Sequence, residues 1–326
     1  MPLDRRAFLS SAAAAGASLA LGAGPVNALA AAAPVGSIAS SRRTRLAIAT
    51  YSYWHFRAPK ISVETVIDKS AALGVEGVDI LHRQMEIAEK APLDAAGRAY
   101  LHGLKRRAFV NGLSICCVST HQSFVQPQPA ELTANVEHTK KCIEIAYALG
   151  CPCIRINTGR WGTTRSFDQL MKDRGIEPVL PGHTEEEGFK WCIEGITRCL
   201  PKAEECGVVL ALENHWGLAR TPEGLLRILN SIKSPWLGGL MDTGNFLEDP
   251  YDKLIEVAPK TVFVQAKTYP GGGEWYTLDL DYKRIAKILA DANFTGYVAV
   301  EFEGKAPADE AVPKSLAMLR KAFDVV

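Results

Sequence analysis

The sequence predicts an α/β chain folded as a single-domain (β/α)8 TIM barrel. Three observations lead there. Eight short apolar runs alternate with eight amphipathic ones. Carboxylate or carboxamide side chains close the last four apolar runs, at the strand ends where barrels keep their chemistry. No phosphate-binding glycine fingerprint follows the first run, as a nucleotide-binding open sheet requires; Tyr51-Ser52-Tyr53-Trp54 stands there instead.

The strand candidates are 45–53, 75–81, 113–120, 151–157, 207–213, 237–242, 261–267 and 296–302. Helical patterns fall at 62–73, 95–111, 130–149, 184–206, 221–231, 250–258, 279–292 and 307–324. Thr184 ahead of Glu185-Glu186-Glu187, and Thr221-Pro222-Glu223, carry helix-start chemistry. The longest gaps are 82–94 and 158–183, both on the C-terminal side of a strand. Pro178, Pro181 and Gly182 mark the second as an irregular lid.

The first 30 residues read as a leader and not as part of the barrel. Asp4-Arg5-Arg6-Ala7-Phe8-Leu9-Ser10 resembles a bacterial twin-arginine export signal, followed by a small apolar run from Ser11 to Gly24 and a small-x-small site at Ala28-Leu29-Ala30. The run is short, Ala-rich and closed by Pro25, which argues against stable membrane insertion. The expected division is a signal peptide over 1–30, a linker over 31–43 and the barrel over 44–326, in a protein exported to the periplasm. Removing 1–30 takes away Asp4, Arg5 and Arg6 and leaves acidic and basic residues equal in number. The full chain carries a net charge of +1, which gives no nucleic-acid footprint. Its eight cysteines lack Cys-x-x-Cys spacing and read mostly as core residues. A homo-oligomer is compatible with the sequence.

The strand-end groups are Glu213 in Leu-Glu-Asn-His, Asp242 in Met-Asp-Thr-Gly-Asn, Gln265 in Val-Gln-Ala-Lys and Glu301 in Val-Glu-Phe-Glu. Each follows an apolar run, where an unpaired charge is costly, so three acids converging there call for a cation. Oxygen donors alone favour a hard divalent ion, Mn²⁺ first, with Mg²⁺ or Co²⁺ as alternatives. The bland alternative is a set of turn-shaping groups and salt bridges, with Asp242 forming a turn before Thr-Gly-Asn. Glu303 competes with Glu301 as ligand; Glu301 is preferred because it directly ends Val298-Ala299-Val300. His121, Asn157, His215, Trp216 and Lys267 are the substrate-binding candidates, with His55, His82, Asn245, Trp54 and Trp161 as weaker ones. Arg155 is read as half of a buried structural ion pair.

These motifs resemble the sugar isomerase/epimerase superfamily with the xylose-isomerase-like barrel, over about residues 45–325. The resemblance implies a metal site built of a Glu after strand five, an Asp after strand six, a His after strand seven and a Glu after strand eight. Glu213, Asp242 and Glu301 match; Gln265 stands in the His place, with Lys267 two residues on. It further implies that Glu213 and Glu301 move a proton on and off a carbon beside a metal-polarised carbonyl, through an enediolate, while Asp242 only ligates.

The expected function is a metal-dependent isomerase or epimerase of an unphosphorylated keto-sugar or related polyol. Gly271-Gly272-Gly273 is the one candidate phosphate nest and reads better as a lid. The alternatives are a keto-sugar dehydratase or 3-keto-glycoside lyase using the same enolate, and a metal-containing carbohydrate-binding barrel without turnover. An apurinic endonuclease on this barrel would need a His-rich site and a basic face; the chain has seven histidines and no charge excess.

Overall fold

The computed structural model describes residues 44–89 and 91–323. The expected signal peptide and linker lie outside the described residues. Eight parallel strands close into one barrel in sequence order, β1 Arg45–Ala49, β2 Gly77–Leu81, β3 Ser114–Ser119, β4 Cys153–Ile156, β5 Val209–Glu213, β6 Leu237–Asp242, β7 Thr261–Thr268 and β8 Tyr297–Phe302. The seam is sealed by β1 on β8, with Leu46 opposite Val298 and Ile48 opposite Val300.

Nine α-helices lie among the described residues. They are α1 Val63–Ala72, α2 Ala95–Val110, α3 Pro129–Leu149, α4 Phe167–Lys172, α5 Glu185–Cys206, α6 Pro222–Ser231, α7 Tyr251–Val257, α8 Tyr282–Asp291 and α9 Ala308–Ala322. Their starts follow the chemistry read from the sequence. Thr184 and Glu187 form a reciprocal capping box, and the Thr221 hydroxyl accepts from Gly224 N. Large aliphatic side chains such as Ile48, Ile80, Ile143 and Ile154 are wholly buried between strands and helices. Each such burial stabilises the fold by roughly 1.5–3 kcal/mol. No described helix is long and apolar enough to cross a membrane, and all eight cysteines are free.

Two elements differ from expectation. The first strand stops at Ala49 and a 3-10 turn takes Thr50–Tyr53, because Ser52 Oγ donates to Val300 O and accepts from Phe302 N, bending the chain over β8. The gap at 158–183 contains α4, capped by Ser166, whose hydroxyl accepts from Gln169 N.

Inside the barrel, Ala47, Cys117, Cys153, Ala211, Leu240, Phe263 and Ala299 pack into one apolar layer. Side chains alternate along a strand, so residues two positions further on face the same way. Those residues are Ala49, Ser119, Arg155, Glu213, Asp242, Gln265 and Glu301, joined on β2 by Asp79, two past Gly77. A polar layer thus sits directly on the apolar one, toward the C-terminal ends of the strands.

Candidate active site

A cavity of about 940 Å³ opens above this polar layer. Its floor includes Asp79, Ser119, Arg155, Glu213, Gln265, Lys267 and Glu301. The candidates His121, Asn157, His215 and Trp216 also line it, as do Asn245, His55 and Trp161.

Glu213 is the most firmly held acid. Asn157 Nδ2 donates to Oε2 at 2.7 Å and Asn245 Nδ2 donates to Oε1 at 3.1 Å. Burial alone raises a carboxyl's pKa, but Arg155, with His215 and Lys267, outweighs it here and holds the Glu213 carboxyl below its ordinary value. Arg155 reaches further than a simple pair. Its Nε lies 3.4 Å from Glu213 Oε2 and its Nη1 4.0 Å from Glu301 Oε1. Its Nη2 is 3.3 Å from His121 Nε2. The buried ion pair expected for Arg155 is present, and the guanidinium also lines the cavity and spans both glutamates. Burial, and Arg155 after it, press His121 well below the ordinary histidine range, so the ring is neutral beside the guanidinium.

Lys267 is the second cation. Its Nζ lies 2.8 Å from Glu303, 3.4 Å from Glu301 and 3.6 Å from Asp242. Burial works against the ammonium, yet Asp242, Glu303 and Glu301 together raise its pKa well above the ordinary value. Gly244 makes room for this side chain, since a Cβ there would sit 2.8 Å from Lys267 Cδ and 2.6 Å from Tyr269 Oη.

Asp242 departs from the expected arrangement. It is fully buried but does not line the cavity. Its Oδ1 accepts from Gly244 N and Asn245 N, the turn-shaping role, whereas its Oδ2 has no hydrogen-bond partner. Burial pushes its carboxyl well above the usual range, with Lys267 opposing. Gln265 is similarly half-engaged. Its Nε2 donates to Asp79 Oδ2 at 2.9 Å and Ser119 Oγ at 3.1 Å, leaving Oε1 without a partner.

Asp79 and Ser119 are floor residues that the sequence reading missed. Both were legible by the period-two rule, as polar groups in the lumen register of buried strands. Burial raises Asp79 to about 6, against the pull of Arg155. Among the weaker candidates, His55 points its Nε2 at Phe302 O, 2.6 Å away. His82 is buried and, like the half-buried Trp54, absent from the cavity wall. His82 Nδ1 and His138 Nε2 instead lie 3.7 and 3.6 Å from Cys142 Sγ. That is the one group of three His, Cys, Asp or Glu residues, among those described, with donor atoms all within 4.8 Å of each other. The carboxylates of Glu213, Asp242 and Glu301 are not drawn that close. The glycine run at 271–273 packs on the segment after β8 through Lys305 N to Gly272 O and a bridge between Gly273 and Gly304.

The floor residues fit a divalent cation on two observations. Two buried acceptors, Asp242 Oδ2 and Gln265 Oε1, lack hydrogen-bond partners. Five buried or half-buried carboxyl groups, Asp79, Glu213, Asp242, Glu301 and Glu303, face two cationic side chains among the described residues, Arg155 and Lys267. Such an excess of buried negative charge is relieved by a proton or by a metal ion.

Residues 67–322 match the family described as xylose isomerase-like TIM barrel. The chain belongs to that family. Solved structures of the same barrel include a D-psicose 3-epimerase, 17% identical, with a TM-score of 0.66 over 86% of this chain and 99% of that one. The 3-keto-D-glucoside 4-epimerase of E. coli is 15% identical, with a TM-score of 0.65 over 86% of this chain and all of its own. An L-ribulose 3-epimerase is also 15% identical, at a TM-score of 0.61 over 84% and 86% of the two chains. At these identities the likeness concerns the fold. None of the curated proteins compared with the chain matches it. Within this xylose isomerase-like frame, the β4 arginine and the β2 aspartate join the strand-end acids expected from the sequence.

Proposed function

We propose that the protein is a sugar isomerase or epimerase acting on an unphosphorylated keto-sugar or related polyol, with Glu213 and Glu301 as its acid/base pair. The observation that carries this reading is the Arg155 guanidinium spanning two carboxylates that open into one large cavity. The structural neighbours that are sugar epimerases support it.

In this reading one glutamate takes the proton from the carbon next to the carbonyl. The electron pair moves onto the carbonyl oxygen to give an enediolate, and the other glutamate returns a proton. Asn157 and Asn245 fix the Glu213 carboxylate, so its lone pairs have a set direction. Arg155 and Lys267 face the negative charge that develops on substrate oxygens. Glu213, Asp242, Gln265 and Glu301 are the proposed holders of a divalent cation, Mn²⁺ first. When bound, such an ion supplies Lewis-acid polarisation of the carbonyl and stabilises oxyanion charge. The export signal extends the proposal to a periplasmic location, which cell fractionation tests.

Glu303 favours a second reading, elimination. Burial raises its carboxyl, with Lys267 opposing, and it lines the cavity as a further acid candidate for a leaving group. Incubating Mn²⁺-loaded protein with ketohexoses and 3-keto-glucosides in D2O separates the two. Deuterium gained without loss of mass elsewhere marks isomerisation; lost water or aglycone marks a lyase. Glu213→Gln and Glu301→Gln should each slow exchange by about 10²–10⁴-fold. Wild-type exchange rates in both variants would sink the acid/base assignment.

A further inference from the structure

Three large aromatic or aliphatic side chains that the fold leaves exposed are gathered at one place. Phe56, Phe167 and Trp275 are 49%, 49% and 47% exposed, and all three line the mouth of the cavity. They come from three separate segments, after β1, at the start of α4 and after β7. Phe167 meets Trp275 edge-on at 5.1 Å between ring centroids and Trp216 at 6.0 Å. Trp216 is backed by Gly175, where any Cβ would lie 2.5 Å from its indole.

The arrangement is held in place. His55 and Phe56 both have left-handed backbone, at φ of 50° and 57°, a region that non-glycine residues enter at a cost and that concentrates at ligand sites. The hydrogen-bond contact of His55 with Phe302 O anchors that turn on β8. Arg57, next to Phe56, pairs with Glu274, next to Trp275, and ties two of the aromatic loops together.

Size points the same way. A volume of about 940 Å³ is near the top of the roughly 300–1,000 Å³ typical of pockets for drug-sized ligands. A single hexose, with its dozen non-hydrogen atoms, fills only part of that volume.

We propose that the mouth is a second ring-binding subsite, in which Phe56, Phe167 and Trp275 contact the ring joined by a glycosidic bond to the keto-sugar below. The substrate is then a glycoside and not a free monosaccharide. The inference rests on the keto-sugar reading of the floor. The shared chemistry is a flat ring face, either a C–H-rich sugar face or an aryl aglycone.

The test uses Mn²⁺-loaded protein and calorimetric Kd values for the methyl, phenyl and glucosyl glycosides of one 3-keto-hexose. At least one two-ring ligand should bind about tenfold or more tightly than the methyl glycoside. Whichever arm gains, phenyl or glucosyl, identifies the kind of ring. Phe167→Ala and Trp275→Ala should erase most of that ratio. Equal affinities for one-ring and two-ring ligands overturn the subsite and leave the floor chemistry standing, as do variants that weaken all ligands equally. If no glycoside binds while a free ketohexose does, the subsite falls and the keto-sugar reading stands; if neither binds, both fall.

Discussion

Gln265 on β7 donates its amide across the barrel to Asp79 on β2, at 2.9 Å, and so turns an unpartnered carbonyl oxygen the other way. An amide placed where the resemblance implies a histidine becomes a defined oxygen donor through this contact. Asp79 accepts from it, and Ser119 Oγ lies within 2.9 Å of both Asp79 oxygens.

Asp79→Asn replaces the acceptor with a group that donates equally well, so the Gln265 amide loses its fixed sense. Support groups of this kind typically govern metal affinity by about 10–100-fold. A weakening of that order is the expected outcome in a Mn²⁺ titration followed by electron paramagnetic resonance. Unchanged affinity would remove Gln265 from the ligand set.

Mn²⁺ should stabilise the folded chain, because it meets buried carboxylates that otherwise repel each other. At 100 times its Kd, a ligand specific to the native state contributes about 2.7 kcal/mol. For a domain of this size that is on the order of 5 °C in Tm. Asp242→Asn should lose most of the shift in a thermal scan with and without Mn²⁺, since the Oδ2 that lacks a hydrogen-bond partner is removed.

Gly244→Ala places a methyl group 2.8 Å from Lys267 Cδ. The clash moves an ammonium that bridges Glu301, Glu303 and Asp242. Overpacking of a tight site costs about 1–3 kcal/mol. Urea unfolding should register that loss, and sugar turnover should fall more than the stability change accounts for.

Protonation of His82 should cost the fold stability in mild acid, against an opposing gain from the raised carboxyls of Asp79, Asp242 and Glu303. Burial, reinforced by His138, lowers His82 to about 4. Its folded pKa thus lies below the ordinary value of about 6.5. Between those values the unfolded chain binds more protons, so the stability from neutral His82 is complete above about pH 6.5 and is lost as pH falls toward 4. His55, His121, His138 and His215 are shifted the same way, burial leading in each case. Going from pH 7.5 to 5, the urea midpoint of wild type should fall relative to that of His82→Gln. Equal differences in the two proteins would remove His82 from the acid response.

The strand order and the site's position on it were legible in the amino-acid pattern. Apolar runs bounded by turn residues have one common use when they alternate with amphipathic helices, and an acid ending such a run has nowhere to go but the strand's C-terminal rim. Glu213, Gln265, Lys267 and Glu301 were found that way. Asp79 and Ser119 obey the same alternation, yet they sit inside their strands, where a polar residue is easily passed over in an apolar run.

What the sequence determined by itself is local: hydrophobic periodicity, helix caps and the residue type at each strand end. Only the tertiary structure decided partnership. That Arg155 spans Glu213 and Glu301, that Asp242 pairs with Lys267 instead of lining the cavity wall, and that Phe56, Phe167 and Trp275 line one cavity all depend on barrel closure. Closure brings together residues as far apart in sequence as Arg155 and Glu301, and no local propensity encodes those distances.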